Sequence, residues 1–189
     1  MAGTLSPRLL ANAPHRLMFF VGASNLLLGM LWWTAWLVAA RWQMFAMPQP
    51  SPYAGWLHAY VMQYQMLPSF IFGFLLTVFP KWTGQPDIAR SRYLPVGIGL
   101  FGGQIATLLG ALGWPHGVAL GVLLTLFGWL AGLSALAPLL WRETGITWHA
   151  RSCLAALVVG FAGLLAWTVF VLGGSPLWMF ASIKIGSFG

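Results

Sequence analysis

The sequence predicts an all-α membrane protein: a polytopic transmembrane helical bundle with five full spans plus the start of a sixth. Composition is the first reason. Of the 189 residues, 59% are hydrophobic and 6% charged, where a soluble domain carries about a quarter charged residues. Mean hydropathy, at +0.81, is the second. The third is the recurrence of unbroken apolar runs of about 20 residues, whereas barrel strands would show shorter segments of alternating character.

Residues 1–16 are expected to form a cytoplasmic amino-terminal segment, and residues 17–189 the transmembrane helical domain. The first span, 17–40, is too long for the core of a secretory signal and carries Trp32, Trp33 and Trp36, so it reads as a retained helix. Pro48, Pro50 and Pro52 cannot continue it, and their loop is expected at the surface. The second span covers 57–80 and a polar connection covers 81–93. The third span, 94–113, and the fourth, 116–141, are separated only by Trp114 and Pro115, which predicts a tight antiparallel hairpin. Gly99, Gly103 and Gly110 on one helix, and Gly117, Gly121, Gly128 and Gly132 on the other, predict that the two pack glycine face to glycine face. A fifth span, 153–173, leads through Gly173-Gly174-Ser175-Pro176 into a sixth apolar segment. That segment reaches Gly189 after about 14 residues, too few to cross unaided. The expectation is therefore an amino-terminal half, with a remaining carboxy-terminal half as its partner.

Charge sets the orientation. Arg8, Arg16, Lys81, Arg90, Arg92, Arg142 and Arg151 fall on one side of this topology and Arg41 on the other, while Lys184 lies inside the sixth segment. Short loops rich in Lys and Arg stay inside, so the amino terminus is expected in the cytoplasm. Trp42, Trp56, Trp82, Tyr93, Trp114, Trp141, Trp148 and Trp178 fall at or near helix ends, as headgroup-level rings do. The net charge of +7 is spread singly over loops, which argues against nucleic acid. Cys153 is the one cysteine and permits no internal disulfide. Asp87 and Glu143 both fall in loops, leaving no buried carboxylate for acid–base work.

The second span is the most polar. His58, Tyr60, Gln63, Tyr64, Gln65, Ser69 and Thr77 lie in it, and hydrocarbon offers them no partner, so they are expected to face helices or a cofactor. His58 has Met62 at i+4 and Gln65 at i+7, on one face of a regular helix. Imidazole and thioether suit copper or haem iron, although two ligands from one turn cannot take opposite axial positions of a haem. The candidate metal ligands are His58 and Met62; the candidate cofactor-binding residues are His58, Tyr60, Tyr64 and Gln65. A hydrogen-bonded structural His58 remains the alternative. The topology puts His58 and His116 near one surface and His15 and His149 near the other, a bilayer of ~30 Å apart.

Two stretches of sequence also carry a likeness. Ala13-Pro14-His15-Arg16 followed by Phe19-Phe20 and Gly22, with Trp56-Leu57-His58-Ala59, Gly73-Phe74-Leu75-Leu76-Thr77 and Pro80-Lys81-Trp82-Thr83-Gly84, resembles the NnrS family of membrane proteins over residues 13–84. The resemblance implies a multi-pass protein of the bacterial inner membrane, associated with haem and copper and acting in the response to nitric oxide or nitrosative stress. Where that family commonly has His-Ala-His-Glu-Met, this chain has His58-Ala59-Tyr60-Val61-Met62. His58 and Met62 match, and Tyr60 and Val61 replace a histidine and a glutamate. Two other functions are consistent with the residues. One is a metal-free transporter or channel for a small solute, with its path past Gln63, Gln65, Ser69 and Lys184. The other is a non-catalytic assembly subunit of a membrane redox complex.

Overall fold

A computed structural model describes residues 7–141 and 148–188, and every regular element among them is helical. A short α1 (Pro7–Leu10) precedes α2 (Pro14–Trp42), α3 (Ala54–Trp82), α4 (Arg90–Ala111), α5 (Gly117–Trp141), α6 (Trp148–Val171) and α7 (Pro176–Phe188). Helices α2 to α6 are the five long and apolar enough to cross a membrane. The side chain of Arg8 and the whole of Arg142, Glu143 and Gly189, on which parts of the charge count and the expectation about the chain's end rest, lie outside the described residues.

Helices α2 and α3 extend past both ends of their apolar runs, and α4 and α6 start before theirs. At their other ends α4 stops at Ala111 and α6 at Val171, two residues short of the expected ends, before Gly113 and Gly173 in the left-handed region. Helix α4 begins at Arg90 rather than 94, and α6 at Trp148 rather than 153. Hydropathy marks only the part immersed in hydrocarbon, while the hydrogen-bonded helix continues into the headgroup layer, where arginine and tryptophan are at home. Pro14 opens α2, a position where its missing N–H costs nothing. Gln43 ends the same helix in the left-handed region (φ 54°), donating its N–H to the Ala39 carbonyl at 2.9 Å.

The α4–α5 hairpin is closed as expected. A Cβ on Gly99 would stand 2.6 Å from the Gly128 nitrogen, and one on Gly110 would stand 2.8 Å from the Gly117 carbonyl carbon. Between these pairs, Gly103 faces Thr125 and Gly121 faces Thr107. Small residues thus allow backbone to touch backbone, the source of helix association in lipid. Gly132 departs from the expectation. It gives its space to the Phe72 ring of α3, 2.8 Å from where its Cβ would be.

Around this hairpin, α2 packs against α3 and α4, α6 against α5, and α7 against α6. Leu27, Leu31 and Ile98 are exposed and face outward, as lipid-bathed positions should. Trp42, Trp114, Trp141, Trp148 and Trp178 are exposed at helix ends. Tyr93 corrects the pattern: it is buried, and its hydroxyl donates to the Ala11 carbonyl at 2.8 Å, pinning the chain just before α2 to α4. Pro50 is likewise buried rather than at the surface.

Candidate functional site

Helix α3 is not regular. Residues Val61–Met66 form a π-helical turn, in which the Leu67 N–H reaches the Met62 carbonyl five residues back. Such a turn admits one extra residue and shifts the face presented by everything beyond it. The expectation that Gln65 shares the face of His58 is overturned for that reason. His58 lies flat on Trp33 of α2, ring centroids 4.5 Å apart and planes 4° apart. Gln65 is turned to the α4–α5 hairpin, where its Nε2 donates to the Thr107 and Thr125 hydroxyls, each at 2.9 Å.

The π turn also leaves carbonyls that water cannot reach, and side chains take them up. Trp129 Nε1 donates to the Tyr64 carbonyl at 2.9 Å, and Ser69 Oγ to the Gln65 carbonyl at 2.6 Å. In hydrocarbon an unsatisfied carbonyl costs several kcal/mol, and since Pro68 has no N–H to give the Tyr64 carbonyl, the Trp129 donor answers that need. Tyr60 is fully buried, stacked on Trp167 of α6 at 5.1 Å and 10°, and its hydroxyl lies 3.3 Å from Gln65 Nε2. Tyr64 donates to the Ser182 carbonyl of α7 at 2.6 Å. Tyr60, Gln65, Thr107 and Thr125 therefore form one polar cluster within the span. The cluster is incomplete: Gln65 Oε1 is buried with no partner. Reversing the amide exchanges its two ends and leaves Nε2 over instead.

Toward the amino-terminal end of α3, His58 begins a ladder of rings. Trp33 stacks in turn on Trp36 at 5.5 Å and 2°, and Tyr53 meets Trp36 edge-on at 5.7 Å. The His58 Nδ1 is buried and has no hydrogen-bond partner. Met62 is partly buried on the same helix. Among the described residues no three of His, Cys, Asp and Glu come close enough to hold a metal together. An imidazole nitrogen without a partner, plus a thioether, fits a soft metal such as copper in the kind of its donors. The indole facing His58 from α2 has no lone pair to give, so Trp33 would be no second ligand. His149 sits edge-on to Trp82 at 4.6 Å, and His15 lines a cavity with Lys81, so both stay at the far end of α3 from His58.

Three of the residues named for a solute path, Gln63, Gln65 and Ser69, turn to different partners. Gln63 donates to Ser187 of α7 at 2.9 Å, Gln65 turns to the hairpin, and the Ser69 hydroxyl bonds its own helix. The partners that complete the site, Trp33, Thr107, Thr125, Trp129 and Trp167, were not singled out as site residues from the sequence. Thr107 and Thr125 did carry a signal, each four residues beyond a glycine of the hairpin stripe, at Gly103 and Gly121. Trp33, Trp129 and Trp167 carried none.

Long apolar helices closed around a polar cluster define a multi-pass helical membrane protein. A sequence model described as NnrS protein matches residues 9–188, well beyond the stretch in which the likeness is visible by eye, and the chain belongs to the NnrS family. No curated protein and no solved structure matches the chain significantly.

Proposed function

We propose that this NnrS-family protein acts in the response to nitric oxide or nitrosative stress from the bacterial inner membrane, with its amino terminus in the cytoplasm. In this reading His58 and Met62 are the ligands of a copper ion, or His58 that of a haem. Bound there, the metal would supply a coordination position for a small diatomic molecule. The chain's part is to hold and shield. Trp33 fixes the plane of the imidazole, and the π turn directs Tyr64 and Gln65 into the bundle, beside the buried Tyr60 that precedes it. One observation supports the reading most: the His58 Nδ1 is buried and unpartnered, and the only other buried side-chain atoms of this helix in that position are the amide oxygens of Gln63 and Gln65, which are not imidazole-type metal donors.

The test is the absorption spectrum and metal content of protein purified from bacterial membranes, alongside His58→Ala. The expected result is a Soret band or bound copper that the variant loses. Protein carrying neither, or a metal signal unchanged by His58→Ala, would remove the metal reading. Solute flux in metal-free proteoliposomes would turn it toward transport, and co-purification with a redox complex toward an assembly role.

A further inference from the structure

At the end of the bundle where α2 and α4 begin and α3 finishes, a cavity of about 420 Å³ is lined by residues that include His15, Thr77, Lys81, Asp87 and Arg90. The two segments at the extremes of the family likeness, 13–16 and 80–84, meet there. We propose that this cavity binds the phosphate group of an anionic phospholipid.

Four observations carry the proposal. Lys81 and Arg90 outnumber Asp87, and no ion pair joins the three, so a net positive charge stays available. Two helix amino termini border the cavity with nothing to cap them. Ala13 precedes α2 and Ala89 precedes α4, neither supplies a side-chain cap, and no acidic residue stands in either first turn. Their leading N–H groups present partial positive charge to an anion. By contrast two of the closing carbonyls of α3 are already taken, Phe79's by the Thr83 N–H and hydroxyl and Pro80's by the Gln85 N–H. Third, the partly buried His15 lines the cavity, and its Nδ1 has no hydrogen-bond partner.

The fourth observation separates a lipid from free phosphate. His15 meets Phe19 edge-on at 6.4 Å, and Phe19 meets Phe70 of α3 at 5.9 Å, so an aromatic seam leads from the cavity along the α2–α3 surface. Phe19 is exposed along it. An acyl chain has a track there, and a soluble anion has no use for one. Basic pockets between helices on the Lys- and Arg-rich side of a membrane protein are suited to anionic headgroups for the same reason.

The experiment is native mass spectrometry of the full chain released from detergent, with dioleoylphosphatidylglycerol, dioleoylphosphatidylcholine and inorganic phosphate as probes. The protein should retain phosphatidylglycerol in preference to phosphatidylcholine. Lys81→Gln and Arg90→Gln should each lower its occupancy about fivefold, the weight of one cation near an anionic headgroup. Asp87→Asn should raise it. Phe19→Ala should weaken the lipid and leave inorganic phosphate unaffected. Arg151→Gln is the control, since that cation packs over Trp148 away from the cavity. The substituted charges are exposed, and unchanged lipid-free melting of each variant will establish that the fold is kept. Equal retention of both lipids, an Arg151→Gln loss as large as that of Lys81→Gln, or displacement of the lipid by equimolar inorganic phosphate would overturn the proposal.

Discussion

In the α4–α5 hairpin the backbone is regular and the facing side chains are small; in α3 the backbone is irregular and the inward side chains are large. Both place polar atoms inside a membrane span. The hairpin does so by proximity, since glycines opposite Thr107 and Thr125 let each hydroxyl lie against the neighbouring backbone. The Thr125 hydroxyl donates to the Gly121 carbonyl at 2.7 Å. Helix α3 does so by its π turn, which turns Gln65 to those same two hydroxyls while Trp129 and Ser69 satisfy the displaced carbonyls. One region therefore depends on the absence of side chains and the other on the presence of particular ones. Substitutions in the two should fail differently.

The largest effect is expected where backbone meets backbone. Gly99→Ala drives a methyl to within 2.6 Å of the Gly128 nitrogen, and no rotamer can relieve it. The expected cost is about 3 kcal/mol or more, read as a lower melting temperature in detergent; unchanged melting would show that the hairpin slides freely. Next is Trp129→Phe, which keeps an aromatic ring but loses the pyrrole half of the buried indole and, with it, the donor to the Tyr64 carbonyl. It should cost about 2 kcal/mol and increase amide exchange in residues 61–66, and a shift confined to α5 would separate Trp129 from the π turn. Gln65→Leu removes the link between the two regions and, with it, an amide that is never fully satisfied. A net loss of only about 1 kcal/mol is expected, measured in a cycle with Thr107→Val; strict additivity would deny the link. His58→Ala should be the mildest on folding, about 1 kcal/mol for the lost stacking on Trp33. Melting curves in parallel with the absorption spectrum keep that structural loss apart from any loss of metal.

Legibility followed the same division. The hairpin could be read from the chain because its rule is local: glycines at helical spacing, a short turn and a regular repeat on both sides, although the turn occupies residues 112–116 rather than the two expected. Only Gly132 escaped, because the ring that claims its space comes from Phe72, distant in sequence. The candidate site was legible as a list of residues but not as an arrangement. The i, i+4, i+7 alignment of His58, Met62 and Gln65 assumed 3.6 residues per turn, and no residue between 58 and 66 announces a π turn. Pro68, just beyond it, has no N–H for the Tyr64 carbonyl, and the donor that serves that carbonyl instead is Trp129 on α5.

Composition and apolar run length by themselves determined that the chain crosses a membrane as helices, because transfer of a helix into hydrocarbon depends on its own side chains and backbone bonds. Glycine spacing determined the hairpin for a similar reason. Which way His58, Tyr60 and Gln65 point, and that segments 13–16 and 80–84 enclose one basic cavity, were decided only by the packed bundle. Inside lipid each polar group must find its partner on another helix, and the identity of that helix is a property of the assembly.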